Sequence, residues 1–246
     1  MKYIVIDNGV FFFRSIFSWR NNRNLPIIWL WLRSIIACLK RIQIDPEDKI
    51  ILAIDSSKGS WRKQVYKEYK AQRKEQREKY LDVDWQSVFD EFNYNLEQYN
   101  HILDWHFIMV DFAEADDIGA VVSKYFKDNE VILVSSDCDW EQLAVRENVR
   151  IFSNISKKFK TVKNPYKVLQ QKIMKGDIAD NIKGVKEEGN FEEKVKIISL
   201  LNLPEDIETK IIEKIKDLPK KELRIEDIPF ESVRKQYYKI YEREVE

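Results

Sequence analysis

The first seven residues, MKYIVID (residues 1–7), are a short apolar run that ends in an acid. Three later runs have the same apolar character: Ile50 to Ile54, Phe107 to Val110 and Val131 to Val134. Short runs that are apolar throughout are typical of parallel strands with helices on both faces. Helical patterns precede or follow each run. The sequence therefore predicts an α/β fold with a mostly parallel sheet flanked by helices.

Acidic residues follow all four predicted strands. They are Asp7, then Asp55, then Glu114, Asp116 and Asp117, and finally Asp137 and Asp139. A single acid after a strand is often only a helix cap or a turn residue, and that alternative holds at each position by itself. Ligands of such sheets bind beyond the carboxyl ends of the strands, so four acidic strand ends in succession favour one shared site.

A cluster of carboxylates calls for cations, because two like charges about 4 Å apart repel by about 4 kcal/mol at an effective dielectric near 20. The chain has two histidines, His101 and His106, and two cysteines, which do not form a zinc-type ligand set. Oxygen ligands favour Mg²⁺, with Mn²⁺ as a substitute. Two such ions about 4 Å apart can activate water and stabilise the leaving oxygen of a phosphodiester. Phosphodiester hydrolysis is therefore the predicted reaction class.

Composition limits the partners and the cellular compartment that are expected for the protein. Lys+Arg and Asp+Glu both total 42 among 246 residues, so no global field points to a polyanionic partner. Cys38 and Cys138 are far apart, which predicts no disulfide scaffold and an intracellular protein. The N-terminus lacks the features of a signal peptide. The longest apolar stretch, Ile27 to Leu39, is interrupted by Arg33 and predicts a buried helix, and no membrane partner is expected.

Two stretches are locally basic. Lys58 to Lys79 holds nine Lys or Arg residues and three acids, with aromatic residues between them. This pattern fits either a nucleic-acid contact or a solvated helix with Glu/Lys pairs. Arg150 to Lys175 has eight cations and no acids. Its lysines could contact phosphates, or Lys157, Lys158 and Lys160 could simply lie on an exposed hairpin.

The last third of the chain, from Lys163, has a helical pattern punctuated by prolines. It contains the stretch Gly176 to Val185, in which Asp177 and Asp180 are three residues apart and could share one face of a helix. A glycine turn at Gly184 follows. The absence of a low-complexity linker predicts that these helices pack on the same body.

The ordered set of acids resembles that of the flap endonuclease and 5'-3' exonuclease family, and within it the bacteriophage ribonuclease H branch. The resemblance rests on Asp7, Asp55, the stretches EADD (114–117) and SDCD (136–139), and GDIADNI (176–182). It implies a PIN-like nuclease core at residues 1–162 with a helical arch at about 56–82. It also implies a helical DNA-binding region with a helix-turn-helix element at residues 163–246.

The resemblance also implies roles for particular residues. The first Mg²⁺ would be held by Asp7, Asp55, Glu114 and Asp116, and the second by Asp137, Asp139, Asp177 and Asp180, with Asp117 behind them. Lys70 and Arg62 would face the scissile phosphate and act in catalysis together with Asp7, Asp55 and Asp137. Nucleic acid would contact Lys58, Arg62, Lys63, Lys67, Tyr69, Lys70, Arg73, Lys183, Gly184 and Lys186.

The implied function is a structure-selective 5'-nuclease, acting on DNA with a 5' end, a flap or an RNA primer during primer removal, replication or repair. A monomer in the cytoplasm or nucleoid is expected, or in the host-cell cytoplasm if the protein is viral, with replication proteins as partners. The chain departs from the family at Lys183 and at Lys186, Glu187 and Glu188, where the acids would weaken a grip on duplex DNA. Two alternatives stay open: a PIN-type ribonuclease for single-stranded RNA, and a DNA-binding replication protein without catalysis.

Overall fold

The computed structural model describes residues 1–240; the end of the predicted DNA-binding region, residues 241–246, lies outside them. Within residues 1–240, eight strands form two sheets. Their bounds are β1 Lys2–Asp7, β2 Lys49–Ile54, β3 His106–Met109, β4 Glu130–Val134, β5 Val149–Ser153, β6 Lys158–Phe159, β7 Gly176–Asp177 and β8 Ile182–Lys183. The main sheet has the order β3-β2-β1-β4-β5-β6. All of its neighbouring strands are parallel except β5 and β6. The predicted α/β class is confirmed.

The four predicted strands correspond to β1 to β4, but β5 was not predicted. Its sequence, VRIFS, places exposed Arg150 inside the run, where it pairs with Glu130 at 2.9 Å. This strand lies near the sheet edge, so it lacks the continuous apolar run that a strand buried on both faces has. The turn after β5 leads into β6, and Ser153 pairs with Lys158. The basic stretch therefore does include a hairpin, and contact of its lysines with phosphates stays a prediction.

Eleven helices surround the sheets within residues 1–240, together with 3₁₀ helices at Asp139–Val145 and Ile225–Asp227. Their bounds are α1 Asn8–Asn21, α2 Ile27–Ile42, α3 Arg62–Val65, α4 Arg73–Glu78, α5 Trp85–Ile102, α6 Ala115–Tyr125, α7 Tyr166–Lys175, α8 Val185–Glu188, α9 Phe191–Ile198, α10 Glu205–Ile215 and α11 Glu231–Tyr238. The predicted buried helix is α2. Across residues 1–240, every helix is too short or too polar to cross a membrane.

Both faces of the main sheet are covered, because alternate residues of a strand point to opposite sides. Ile4 and Ile6 of β1 pack with α1, α2 and α5 on one face. Tyr3 and Val5 of the same strand pack with α6 and α10 on the other. The C-terminal helices belong to the same body: Tyr237 of α11 lies buried beside Trp105, whose indole N–H donates to its hydroxyl at 2.8 Å.

Two predicted helical segments have a different structure. The segment at 56–82 contains only the short helices α3 and α4, joined by turns, so it is not a helical arch throughout. The stretch from Gly176 onward is a β-hairpin, in which β7 and β8 pair through Gly176 and Lys183. Asp177 and Asp180 therefore do not share a helical face; they lie on a strand and in the turn that follows it.

Glycine at position 184 is required by a close approach of two chain segments. An added Cβ there would lie 2.5 Å from the backbone nitrogen of Gly176 and 2.6 Å from the carbonyl oxygen of Met174. Gly176 itself has φ +87, which side chains disfavour. The hairpin is thus packed directly against the end of α7, and this packing fixes the position of Asp177.

Candidate metal-binding active site

The acidic strand ends meet at one edge of the main sheet. Asp7 is the last residue of β1 and Asp137 follows β4, so the two lie on either side of the point where the strand order reverses. Asp55 follows β2, and Glu114 is the N-cap of α6 after β3. Parallel strands end on the same side, which is why residues distant in sequence come together here.

We call Asp7, Asp55, Glu114 and Asp116 the first cluster. Asp7 also caps α1, with Oδ1 accepting from the Val10 backbone N–H at 3.4 Å. Its other oxygen accepts from the Ser135 hydroxyl at 2.8 Å. The same carboxylate therefore caps helix α1 and belongs to the acidic cluster, so the helix-cap interpretation and the shared-site interpretation are both compatible with the structure.

Asp55 lies beside Asp7 at this edge. Its Oδ1 accepts from the backbone N–H of Ala115 at 2.8 Å. A Cβ added at Gly9 would lie 3.4 Å from Asp7 Oδ1 and 3.8 Å from Asp55 Oδ2. Glycine at this position therefore keeps the space in front of both carboxylates free of a side chain.

The first cluster is electrostatically unfavourable as it stands. Burial raises the pKa of Asp7 to about 7, and the nearby charges of Asp55 and Asp137 add to the effect. Burial raises the pKa of Asp55 as well, with a further contribution from Glu114. Asp7 is buried, whereas Asp55 is accessible to solvent. Crowded, mutually repelling carboxylates are stabilised in the ionised state by a cation, which is the chemistry of a metal site.

Glu114 differs from its neighbours because it is surrounded by donors. Its carboxylate accepts from Tyr69 at 2.7 Å and from Arg62 at 2.9 Å, and it also pairs with the Lys70 ammonium. Burial opposes ionisation, but Lys70 and Arg62 outweigh it and lower the pKa of Glu114 to about 2. This carboxylate is held ionised and in one place.

Asp116 has an oxygen without a hydrogen bond, 3.8 Å from the Arg62 guanidinium. This oxygen, Oδ1, is buried. Burial raises the pKa of Asp116 well above its usual value, although Arg62 opposes the shift. A buried carboxylate oxygen without a donor is costly unless something else binds it. An oxygen-only donor set with such an oxygen fits a hard divalent cation such as Mg²⁺.

We call Asp137, Asp139, Asp177 and Asp180 the second cluster. Ligand oxygens of Asp139, Asp177 and Asp180 lie within 4.8 Å of one another, close enough to share one ion. Asp139 begins the 3₁₀ helix, and exposed Asp137 accepts from its backbone N–H at 2.9 Å. Burial raises the pKa of Asp139 to about 6, although Lys172 opposes the shift. Lys172 lies between Asp139 and Asp177, with Nζ to oxygen distances of 2.6 and 2.5 Å.

The structure contradicts the prediction that Arg62 faces a phosphate. Arg62 is 2% exposed and its guanidinium is fully engaged inside the protein. It binds both oxygens of Asp117 at 2.7 and 3.0 Å and donates to the Ile197 carbonyl at 2.9 Å. Asp117 is completely buried and belongs behind the cluster, not among the direct ligands. Through these bonds Arg62 joins α3 to the start of α6 and to the end of α9.

Tyr69 and Gly184 were also predicted to contact nucleic acid, and both are buried. Tyr69 uses its hydroxyl on Glu114, and Gly184 is packed against the end of α7. The nearby Trp61 is likewise a core residue, with its indole N–H donating to Asp117 at 3.1 Å. These side chains support the site from within and do not form a binding surface.

The other predicted nucleic-acid contacts are accessible. Lys63, Lys67 and Lys186 are exposed, as are Lys58, which pairs with Asp111, and Lys183, which pairs with Glu188. Lys70 and Arg73 lie at the mouth of the site: the Lys70 backbone N–H donates to the Asp180 carbonyl at 2.8 Å, and Arg73 pairs with Asp180 at 2.8 Å. Lys70 has φ 56, a left-handed backbone that is uncommon for lysine.

Glu188, part of the departure from the family pattern, is turned toward its own protein. It pairs with Lys183 at 3.3 Å and with Lys194 at 2.7 Å, and Lys194 is completely buried. The acid therefore neutralises these lysines. Both Glu187 and Glu188 are exposed, and the difference between them is that Glu188 is paired with lysines.

Sequence reasoning missed Ser60, Ser135 and Lys172. Ser60 and Ser135 donate to Glu114 and Asp7, at 3.1 and 2.8 Å. Ser135 follows β4 directly, so its place after a strand was a usable signal. Lys172 had no such signal, because the turn that brings α7 to the second cluster is not visible in the spacing.

Comparisons with known proteins agree with this geometry. The chain is 29% identical over 199 residues to the 5'-3' exonuclease of Mycoplasmopsis pulmonis, covering 75% of this chain and 62% of the relative. It is 32% identical over 167 residues to ribonuclease H of Enterobacteria phage T4, covering 66% of this chain and 54% of the relative. The chain thus spans less than two thirds of the length of these curated relatives.

Two solved structures have the same fold. A bacteriophage T5 5'-exonuclease with bound zinc aligns with a TM-score of 0.57 at 20% identity, covering 98% of each chain. A T5 flap endonuclease in a complex with DNA and metal ions aligns with a TM-score of 0.60 at 18% identity, covering 99% of this chain and 100% of that one. Residues 2–174 match the family described as 5'-3' exonuclease, N-terminal resolvase-like domain. The chain is therefore a member of the 5'-3' exonuclease and flap endonuclease family.

Proposed function

We propose that the protein is a divalent-metal-dependent 5'-nuclease that hydrolyses phosphodiesters near the 5' ends of DNA or RNA-primed DNA. The observation that carries the proposal is the gathering of acids near the carboxyl ends of the strands: Asp139, Asp177 and Asp180 lie close enough to share one ion, and Asp7, Asp55 and Glu114 lie close enough to repel one another. The relatives of this fold are named as 5'-3' exonuclease and ribonuclease H. Two Mg²⁺ ions, or Mn²⁺ in their place, are the proposed cofactors. Membership of the family and the acidic edge support the same reaction class.

The carboxylates that would hold the ions are Asp7, Asp55, Glu114 and Asp116 in the first cluster, and Asp137, Asp139, Asp177 and Asp180 in the second. When bound, such ions supply a reactive water and stabilise the leaving oxygen. Asp7, Asp55 and Asp137 are the proposed catalytic ligands. Ser135 and the Ala115 backbone N–H orient two of these carboxylates, and this fixed geometry is what in-line attack requires.

Lys70 is the proposed cation for the scissile phosphate. Its ammonium lies against Glu114 near the surface, at 16% side-chain exposure, and its backbone is tied to Asp180. From that position it can turn from the carboxylate to a phosphate and offset charge that develops in the transition state. Arg73, whose side chain is 42% exposed, is the neighbouring contact. Arg62 has no part in this step because its guanidinium is buried and engaged.

Nucleic acid would be held by exposed cations on both sides of the site. Lys58, Lys63 and Lys67 lie on the 56–82 segment, and Lys183 and Lys186 lie near the hairpin. Contacts of this kind bind the backbone without reading sequence, so binding should weaken as salt increases. The substrate class we propose is DNA with a 5' end, a flap or an RNA primer. The protein would act as an intracellular monomer in primer removal or repair, alongside replication proteins.

The proposal is tested by incubating the full chain with a 5'-labelled flap, an RNA-primed duplex and single-stranded RNA, with and without Mg²⁺. We expect metal-dependent cleavage of the first two and strong loss in Asp7→Asn. Asp111→Asn is the matched control, because Asp111 is an exposed acid outside both clusters. Cleavage confined to single-stranded RNA would favour the PIN-type ribonuclease instead. DNA binding without turnover would favour a non-catalytic replication protein.

A further inference from the structure

The second cluster contains its own positive charge. The Lys172 ammonium is 2.6 Å from Asp139 Oδ1 and 2.5 Å from Asp177 Oδ2. The two acids come from the 3₁₀ helix and from the hairpin, so the lysine joins two separate parts of the chain. It reaches them from α7, and its side chain is 17% exposed.

This ammonium lies where a second divalent ion would have to bind. The oxygens of Asp139, Asp177 and Asp180 that could share an ion lie within 4.8 Å of one another. Mg²⁺ takes oxygen ligands at about 2.0–2.1 Å. An ion at that distance from Asp139 and Asp177 would overlap or strongly repel an ammonium that contacts the same two carboxylates. The cluster can hold either the lysine or the metal ion in that space.

In the first cluster the corresponding obstacle is confined to one of the four acids, Glu114, which contacts Lys70 and Arg62. Among the described residues, the oxygens of Asp7 and Asp55 accept from neutral donors, Val10, Ser135 and Ala115. Arg62 binds Asp117 and Glu114 and lies 3.8 Å from Asp116 Oδ1, and Lys70 pairs with Glu114. A divalent ion entering this cluster would relieve repulsion without displacing a lysine from Asp7 or Asp55.

We propose that Lys172 is a displaceable internal cation, which holds the second cluster together without metal and must withdraw before an ion binds there. The consequence is an order of filling, in which the first cluster takes its ion at a lower concentration than the second. Lysine suits this task because its flexible four-carbon stem can move the charge without moving the backbone. The partly exposed position gives the ammonium water to move into.

This inference rests on the proposed function only in that both clusters hold divalent ions. It is tested without substrate, by titrating the metal-free full chain with Mn²⁺ and following free Mn²⁺ by electron paramagnetic resonance. Three variants are compared with the original chain: Lys172→Met, Lys172→Arg and Lys175→Met. Lys175 is the matched control, since it lies three residues away on the same helix and is exposed.

In the original chain we expect a tighter and a weaker Mn²⁺ site. Lys172→Met should tighten the weaker site by about tenfold or more, because it removes a competing charge from direct contact with two ligands. The tighter site should not change. Lys172→Arg, which keeps the charge, and Lys175→Met should both keep the weaker site weak. An unchanged or weakened second site in a folded Lys172→Met protein would overturn the proposal.

The original chain provides a second measurement if Lys172→Met does not fold. Lysine side-chain carbons labelled with ¹³C are followed by nuclear magnetic resonance during a Mg²⁺ titration, and Lys172→Arg assigns the Lys172 signal. The signal should move to the position of a solvated lysine as the second ion binds; a signal that keeps its position to saturation would overturn the proposal. Two sites that ignore Lys172 would defeat this inference alone, whereas a protein that binds no Mn²⁺ would defeat the proposed function too.

Discussion

The first cluster is built on the sheet, and among the described residues its Asp7 and Asp55 carboxylates have no lysine or arginine in direct contact. The second cluster is built on a 3₁₀ helix and a hairpin, and it contains Lys172. In the first, Asp7 and Asp55 are oriented by neutral donors, and their charges repel each other. In the second, a lysine already bridges two of the acids. One sheet edge therefore carries two ways of keeping carboxylates together.

The comparison shows that the two clusters are held together differently: the first by the strands of the sheet, the second by ion pairs. The parallel strands can impose a repulsive arrangement on Asp7 and Asp55 because the surrounding core holds the strands in place. The hairpin and the 3₁₀ helix come from separate parts of the chain, and the ion pairs of Lys172 join them. Substitutions that affect one cluster and leave the other unchanged test whether the two clusters are stabilised in these different ways.

The largest effect is expected from Asp7→Asn. The change removes a charge from the first cluster, so the tighter metal site should be lost, and cleavage should fall by on the order of 10³-fold. Mn²⁺ binding and single-turnover cleavage are measured on the same preparation. The weaker site should survive. Loss of both sites together would show that the clusters are not independent, and retained cleavage would remove Asp7 from the mechanism.

Arg62→Met should break the support behind the first cluster. It leaves Asp117 buried without its partner, and breaking a buried pair in this way typically costs about 3–5 kcal/mol. The free energy of unfolding is measured by urea denaturation. Arg73→Met is the control, because that side chain is half-exposed and should cost little. Equal stability of the two variants would contradict the structural role assigned to Arg62.

Lys70→Met should lower the rate of cleavage more than substrate binding. Loss of a cation placed for the scissile phosphate typically costs about 10²-fold in rate. Single-turnover rates and dissociation constants for a DNA flap are compared with those of Lys63→Met, an exposed lysine of the same segment. That control should weaken binding slightly and leave the rate unchanged. If both variants behave alike, Lys70 is only one of the backbone contacts.

The smallest effect is a dependence of metal-free stability on pH. The folded-state pKa values of Asp7 and Asp139, about 7 and about 6, lie above the ordinary value of 3.8. The folded state therefore binds these protons more tightly than the unfolded state. The stability that this binding provides is complete below pH of about 4 and is lost as the pH rises through about 6 and about 7. Glu114, at about 2, acts in the opposite direction, but only at acid pH.

We expect the metal-free melting temperature to fall between pH 5 and pH 8. Saturating Mg²⁺ should reduce or reverse this slope, since it binds the ionised carboxylates. Asp7→Asn should remove the step at the higher pH and leave the step that belongs to Asp139. A metal-free melting temperature that rises over this range would contradict the repulsion assigned to the first cluster.

The sequence was sufficient to predict the first cluster because each of its acids follows a strand or opens a helix after one. The apolar runs of β1 to β4 are unambiguous, and their parallel arrangement brings Asp7, Asp55 and Glu114 to one edge. The second cluster was only partly accessible to this reasoning. Asp177 and Asp180 were expected on a helix, whereas Gly176 and Gly184 form a hairpin through a close contact of two distant backbones. Secondary-structure propensity cannot predict that contact, because it depends only on the local sequence.

The arginines and lysines were harder to place than the acids. The sequence cannot distinguish Arg62, which is buried among carboxylates, from Lys63, which is exposed beside it, since both stand in one basic stretch. Only the packing of α9 against α3 decides this, because it closes over the guanidinium. Lys172 was grouped with phosphate-binding lysines for the same reason. The sequence therefore shows which residues are basic, but not whether a basic side chain is buried in an ion pair or exposed to solvent.

The two parts of the 56–82 segment differ in how firmly they are bonded to the rest of the protein, so they should differ in how well they tolerate inserted residues. Its first part, up to Arg73, is fastened to the body through Arg62, Tyr69 and Lys70, whereas α4 buries none of its residues. Exposed connections with few buried contacts are where chains accept insertions and are first nicked by proteases. Extra residues spliced in after Arg73 would widen the opening over the site and leave its carboxylates in register, and trypsin should cut first at Lys74, Arg77 or Lys79.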